Sequence, residues 1–140
     1  MGFWMFIEMK VKKAMENPIV VAPNASVRDV ARIMKTDEIG SVIILENGAL
    51  KGILTERDLV RKVLAEEKDP SRIKVAEIMS KPVIHISEDS DLLEASKLME
   101  KHNIGRLVVM NSSRKVVGIL TTNDITKTMS IRIQNYLVRS

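Results

Sequence analysis

The apolar positions of this chain fall into helical stripes and unbroken strand runs, and their order occurs twice. Val27, Val30, Ala31 and Met34 stand at i, i+3, i+4 and i+7, the apolar stripe of one helix. Leu92, Ala95, Ser96 and Met99 repeat that spacing with a small polar residue in one place. After Ile39-Gly40 comes Val42-Ile43-Ile44-Leu45, and after Ile104-Gly105 comes Leu107-Val108-Val109-Met110. Runs without polar alternation suit strands covered on both faces. Asn47-Gly48 predicts a tight hairpin into the return strand Lys51-Gly52-Ile53-Leu54. Asn111-Ser112-Ser113-Arg114 is the longer equivalent before Val117-Gly118-Ile119-Leu120. Ile19-Val20-Val21 and Val83-Ile84-His85-Ile86 read as first strands. Each follows a proline, Pro18 or Pro82, which stops any helix and fixes an extended path. Short amphipathic turns, Val11 to Met15 and Val75 to Met79, open each unit. Ser26 and Ser90 are the candidate helix caps, and further helices are predicted from about Glu56 to Ala65 and from about Thr122 onward.

This order, β-α-β-β-α twice, predicts an α/β domain of the α+β type. Gly52-Ile53-Leu54-Thr55-Glu56-Arg57-Asp58-Leu59 returns as Gly118-Ile119-Leu120-Thr121-Thr122-Asn123-Asp124-Ile125, with 118 − 52 = 66. Met15/Met79 and Pro18/Pro82 recur at 64, so single insertions fall in the loops between landmarks. A duplication of this kind predicts two half-domains, each covering the other's apolar face. The expected boundaries are an apolar segment over 1–10, a repeat over 11–64, a linker over 65–74, a repeat over 75–129 and a helical tail over 130–140.

Composition narrows the chemistry. A chain of 140 residues buries roughly 68% of its unfolded surface and makes one compact domain. There is no cysteine, which excludes disulfides and thiolate chemistry and fits a cytoplasmic protein. The net charge of +4 comes from scattered basic residues, a mild bias toward anionic partners rather than a nucleic-acid footprint. Phe3, Trp4, Phe6 and Tyr136 are the aromatics and none lies in a repeat, so no base-stacking platform is expected there. The apolar start, Met1 to Ile7, is too short to span a bilayer and is expected to cover apolar surface of this chain or of a second copy.

The candidate chemistry sits at Thr-x-x-Asp, directly after each buried strand. Threonine followed three residues later by an acid makes a capping box, satisfying two backbone amides of the helix start. The same geometry also suits a nucleotide. Helix-start N–H groups favour phosphate, a hydroxyl can donate to it, and a carboxylate can accept from a ribose cis-diol.

With these residues the chain resembles a tandem pair of CBS domains (a Bateman module) over about residues 10–129. The motifs that carry the likeness are the short helix ending in Met and then Pro, Ile-Gly before a strand, and Gly-Ile-Leu-Thr-x-x-Asp, twice. The resemblance implies two repeats packed with pseudo-twofold symmetry and two clefts that bind AMP, ADP, ATP or S-adenosylmethionine. Carried over, one cleft would use Thr55, Arg57 and Asp58 with Val83, Ile84 and His85. The other would use Thr121, Asn123 and Asp124 with Ile19, Val20 and Val21. Strand backbone would read adenine, Asp would hold ribose, and Thr with the middle residue would face phosphate. His102 and Arg106 in the second repeat stand where the first has Asp37 and Ser41, and Arg106 joins the candidate ligand residues. Arg57 and Arg61 flank the first motif, against Asn123 and Lys127 in the second, so the Asp58 site is expected to be the tighter one for phosphorylated ligands.

The function expected is regulatory and non-catalytic, with no metal and no cofactor beyond the adenosine ligand itself. No nucleophile–base pair, metal cluster or phosphate-binding loop is present. His85 reads as strand packing or pocket wall. The resemblance implies a homodimer, and the chain's size implies a separate effector protein. A protein- or nucleic-acid-interaction module with vestigial clefts is the alternative.

Overall fold

The computed structural model describes residues 9–139; the apolar start through Phe3, Trp4 and Phe6 lies outside the described residues. In chain order the elements are α1 (Val11–Ala14), β1 (Val20–Val21), α2 (Val27–Thr36), β2 (Ser41–Glu46), β3 (Ala49–Thr55) and α3 (Glu56–Leu59), which continues as a π-helical turn, Val60–Leu64. Then follow α4 (Val75–Ile78), β4 (His85–Ser87), α5 (Leu92–His102), β5 (Arg106–Met110), β6 (Val116–Thr121) and α6 (Thr122–Arg139). The β-α-β-β-α order of the pattern is thus realised twice, as two three-stranded mixed sheets with helices.

The chain divides into two compact units. The first is Pro18–Val83; the second joins residues 9–17 with residues 84–139. In the first unit β1 runs parallel to β2, and β2 pairs antiparallel with β3. Asn47 and Gly48 both take positive φ, 52° and 80°, as the tight hairpin requires. Val27, Val30 and Met34 of α2 lie against Val42, Ile44 and Leu54, with Val63, Val75 and Ile78 closing the core. Ser26 caps α2, its hydroxyl accepting from the Asp29 amide at 3.1 Å. Ile43 alternates to the opposite face of β2 and is fully buried too, which explains the unbroken apolar run.

The second unit repeats the plan with β4 parallel to β5 and β5 antiparallel to β6. Leu92, Ala95 and Met99 of α5 lie against Leu107, Val109 and Leu120, joined by Met9, Val11, Ile86 and Ile125. The cap of α5 is Asp91 rather than Ser90: its carboxylate accepts from the Glu94 amide at 2.8 Å. Ser90 is instead taken up by its backbone, donating to the Ser87 carbonyl and accepting from the Val11 amide. A carboxylate is also the stronger acceptor at the positive end of a helix.

The units do not coincide with the sequence repeats, and the repeated glycine and methionine show why. A Cβ on Gly52 would lie 2.5 Å from the Met79 sulfur, and one on Gly118 would lie 2.5 Å from the Met15 sulfur. Each Gly-Ile-Leu-Thr strand therefore receives the leading helix of the other repeat. Backbone bonds fasten the join: Ile53 pairs with Ser80, and Ile119 with Glu16. The Gly118 Cβ would also meet the Glu16 carbonyl at 3.1 Å, whereas Gly52 meets only a flexible methionine. Gly118→Ala should therefore destabilise by about 2 kcal/mol and Gly52→Ala by about 1. Denaturant midpoints of the two variants check the order.

Candidate functional site

Both Thr-x-x-Asp motifs sit at a strand-to-helix turn, and both form the capping box. Thr55 ends β3 in extended conformation, and the next residue turns into α3, where the Glu56 amide donates to the Gly40 carbonyl. The Asp58 amide donates to the Thr55 hydroxyl oxygen at 3.3 Å. In return Asp58 Oδ2 accepts from the Thr55 amide at 2.9 Å and from its hydroxyl at 3.2 Å. Oδ1 accepts from the Ser80 hydroxyl at 2.8 Å and pairs with Lys62 Nζ at 2.9 Å. The ammonium of Lys62 also donates to the Ile78 carbonyl at 2.9 Å and to Ser80 Oγ at 3.3 Å, tying α3 and its π turn to α4. Asp58 is 5% exposed. Burial alone would raise its carboxyl, but the Thr55 amide, Lys62 and Ser80 outweigh it and hold the group below the ordinary carboxylate value.

The second turn shares the box and differs in everything around it. Asp124 Oδ2 accepts from the Thr121 amide at 2.9 Å, and the Asp124 amide donates to Thr121 Oγ1 at 3.1 Å. Asp124 is again 5% exposed. Thr128 stands where the first turn has Lys62, and Glu16 stands where it has Ser80. Glu16 exchanges two backbone bonds with Ile119, at 2.9 and 3.0 Å, which hold it beside the turn. The Asp124 charge, then burial, then a hydrogen bond with Asp124 raise the Glu16 carboxyl, while Lys127 pulls the other way.

The remaining candidate residues distribute between the units. Ile19, Val20, Val21, Val83 and Arg57 lie in the first; Ile84, His85, Arg106 and Asn123 lie in the second. Arg57, Asn123 and His85 are exposed, Val20 is 43% exposed, and Ile19, Val21, Val83 and Ile84 are half-buried. Arg106 is the register partner of Thr121, so the second unit brings it to its own turn. β1 and β4 are edge strands of their sheets. A hollow of about 330 Å3 in the second unit is lined by His85, Ser87, Met110, Asn111 and Arg114. Among the described residues no group of three or more acidic or histidine side chains is placed to hold a metal ion. Nor is any of their helices long and apolar enough to cross a membrane.

The repeated motifs do not mark Lys62, Ser80 or Glu16 as site residues. Lys62 lies one helical turn beyond Asp58, a visible signal. Ser80 and Glu16 follow the repeated methionines, but the turn each would reach depends on the exchange of leading helices.

Comparison with known proteins agrees with this architecture. The CBS domain family model matches twice, at residues 11–65 and 75–131. An uncharacterized protein of Methanopyrus kandleri, MK0525, is 38% identical over 126 residues; the match covers 89% of this chain, which spans 62% of that relative's length. The CBS domain-containing protein YhcV of Bacillus subtilis is 33% identical over 82% of this chain and 81% of its own. Among solved structures, the CBS domain pair of protein MJ0100, in complex with 5′-methylthioadenosine and S-adenosyl-L-methionine, is 32% identical. It superposes with a TM-score of 0.79 over 89% of this chain and 98% of that one. On the doubled family match and the doubled fold, this chain is a member of the CBS-domain family and carries a CBS pair.

Proposed function

We propose that this CBS pair is a regulatory module in which each Thr-x-x-Asp turn holds an adenosine-containing ligand and the bound state is signalled to a separate protein. The observation that carries this is the pair of buried carboxylates, each fixed by a capping box at the end of a Gly-Ile-Leu-Thr strand. A fixed, desolvated acceptor meets a sugar diol without first being ordered. The ligand complex of the MJ0100 pair supports the adenosine class.

The capping box does not compete with this role at Asp58. Its Oδ1 already accepts from the Ser80 hydroxyl, and a ribose hydroxyl can take that donor's place when Ser80 turns to another acceptor. Edge strands β1 and β4 offer backbone groups for adenine, with Ile19, Val20, Val21, Val83 and Ile84 as aliphatic walls. Exposed Arg57 and Arg61, with Lys62, favour phosphate at the first turn. Signalling requires that the ligand bind one arrangement of the protein better than another. A homodimer and a distinct effector chain complete the proposal; the ligand is the only small molecule it needs.

Asp58→Asn should weaken AMP and ATP binding by about tenfold or more, and Asp124→Asn should weaken it less, as loss of a charge-assisted acceptor implies. Calorimetric titration measures both. Equal loss, or greater loss at Asp124, contradicts the assignment of the first turn as the phosphate site.

A further inference from the structure

The two turns are alike in threonine and aspartate and opposite in the charge set beside them. At the first turn, Asp58 is neutralised by Lys62 at 2.9 Å, the third partner is the uncharged Ser80, and Arg57 and Arg61 stand exposed nearby. At the second turn the third partner is a carboxyl, Glu16, Thr128 replaces Lys62, and Asn123 replaces Arg57. The charged groups facing Glu16 are Asp124 and Lys127 of α6, with Arg106 beside the turn on β5. Its position is not incidental. The Glu16 backbone is bonded in both directions to Ile119, two residues before Thr121, so its main chain is held beside the turn whatever the charge of its side chain.

We propose that Glu16 sorts adenosine compounds by charge. With Glu16 beside it, the Thr121–Asp124 turn accepts adenosines whose 5′ substituent is neutral or cationic and disfavours 5′-phosphates. With Ser80 in that place, the Thr55–Asp58 turn accepts the phosphates. This rests on the adenosine reading given above and adds to it which turn takes which class and which residue decides. The physical basis is like-charge repulsion at a partly desolvated site, where a second carboxylate opposes an incoming phosphate while a neutral thioether or a sulfonium meets no such barrier. Glu16 itself is exposed, so solvent screens part of the effect. A change of about fivefold per charge is expected rather than a thousandfold. Discrimination should also relax in acid, as Glu16 takes up its proton and loses its charge.

The test uses the full chain with AMP and 5′-methylthioadenosine as probes. The backbone amides of Thr55 and Thr121, followed by nitrogen-resolved NMR, report the two turns separately. In Glu16→Ser the AMP affinity read at Thr121 should rise about fivefold, while that of 5′-methylthioadenosine stays within about twofold. Ser80→Glu should lower AMP affinity at Thr55 by a similar factor. The ratio of AMP affinities in wild type and Glu16→Ser, read at each pH, removes every contribution that residue 16 does not make. That ratio should move toward one as the pH falls and both Glu16 and the phosphate take up protons. Binding of both probes with the same preference in wild type and Glu16→Ser overturns the sorting role and leaves the adenosine reading standing. Saturating neither amide with either probe overturns the adenosine reading, and the inference with it.

Discussion

Asp58→Ala should lower the stability of the folded chain by about 2–3 kcal/mol at neutral pH, and Asp124→Ala by less than half of that. At the first turn the substitution strands the Thr55 amide and the Ser80 hydroxyl, and it removes the acceptor that holds Lys62 between α3 and α4. At the second it strands the Thr121 amide but also relieves Asp124 of its like-charged neighbour Glu16. A melting temperature lower by roughly 8 °C for Asp58→Ala is the matching thermal signature. The pH dependence has a definite sign. Asp58 titrates below its ordinary value when folded, so its contribution is complete above about pH 4 and disappears as the pH falls through the lower folded value. The gap between wild type and Asp58→Ala should therefore hold steady from neutrality to about pH 4.5 and close below about pH 4. Glu16 has the opposite sign: its raised carboxyl favours the folded state in acid, and that advantage is lost as the pH rises through its folded value. Urea midpoints across this range decide the matter, and equal losses at the two aspartates would refute the asymmetry described here.

Leu54→Ala and Leu120→Ala should each cost about 3–4 kcal/mol of stability. Both leucines have no exposed surface, and each belongs to the core of its own unit. Leu54 meets the Val27–Val30–Met34 stripe, and Leu120 meets Leu92, Ala95 and Met99. Removing three carbon atoms there leaves a cavity that the close-packed sheet can fill only in part. Each leucine also immediately precedes the threonine of its turn, so the void should loosen the capping box and broaden the Thr55 or Thr121 amide signal. Equilibrium unfolding measures the first effect; a loss under about 1.5 kcal/mol would mean that the strand is not the packed element described here.

The parts of the fold legible in the sequence were those written in short-range periodicity. The α2 stripe, the Asn47-Gly48 turn and the buried central strands follow from spacing alone, because helix and strand each repeat at a fixed interval. The cap of α5 moved by one residue because serine and aspartate are adjacent, and both can cap. The helix expected from Glu56 to Ala65 includes a π turn, in which Val63 is buried and Lys62 meets Asp58. From that turn Lys62 reaches the Ile78 carbonyl and the Ser80 hydroxyl, partners distant in sequence that no local pattern contains. The site was legible as two aspartates and two threonines. The groups that make them unequal, Lys62 with Ser80 and Glu16, depend on which strand each leading helix joins, and that is a tertiary choice.

Binding of adenosine compounds at the two Thr-x-x-Asp turns is the proposal on which everything above rests. Its most direct test is calorimetric titration of the whole chain, and of the Asp58→Asn/Asp124→Asn double variant, with AMP, 5′-methylthioadenosine and S-adenosylmethionine. Asparagine keeps the size of each side chain and removes its charge. Saturable heat with at least one of the three compounds, reduced about 100-fold in affinity or lost in a double variant that is still folded, is the result expected. A flat titration of the wild-type chain at millimolar ligand, or binding that the double variant retains in full, would contradict it.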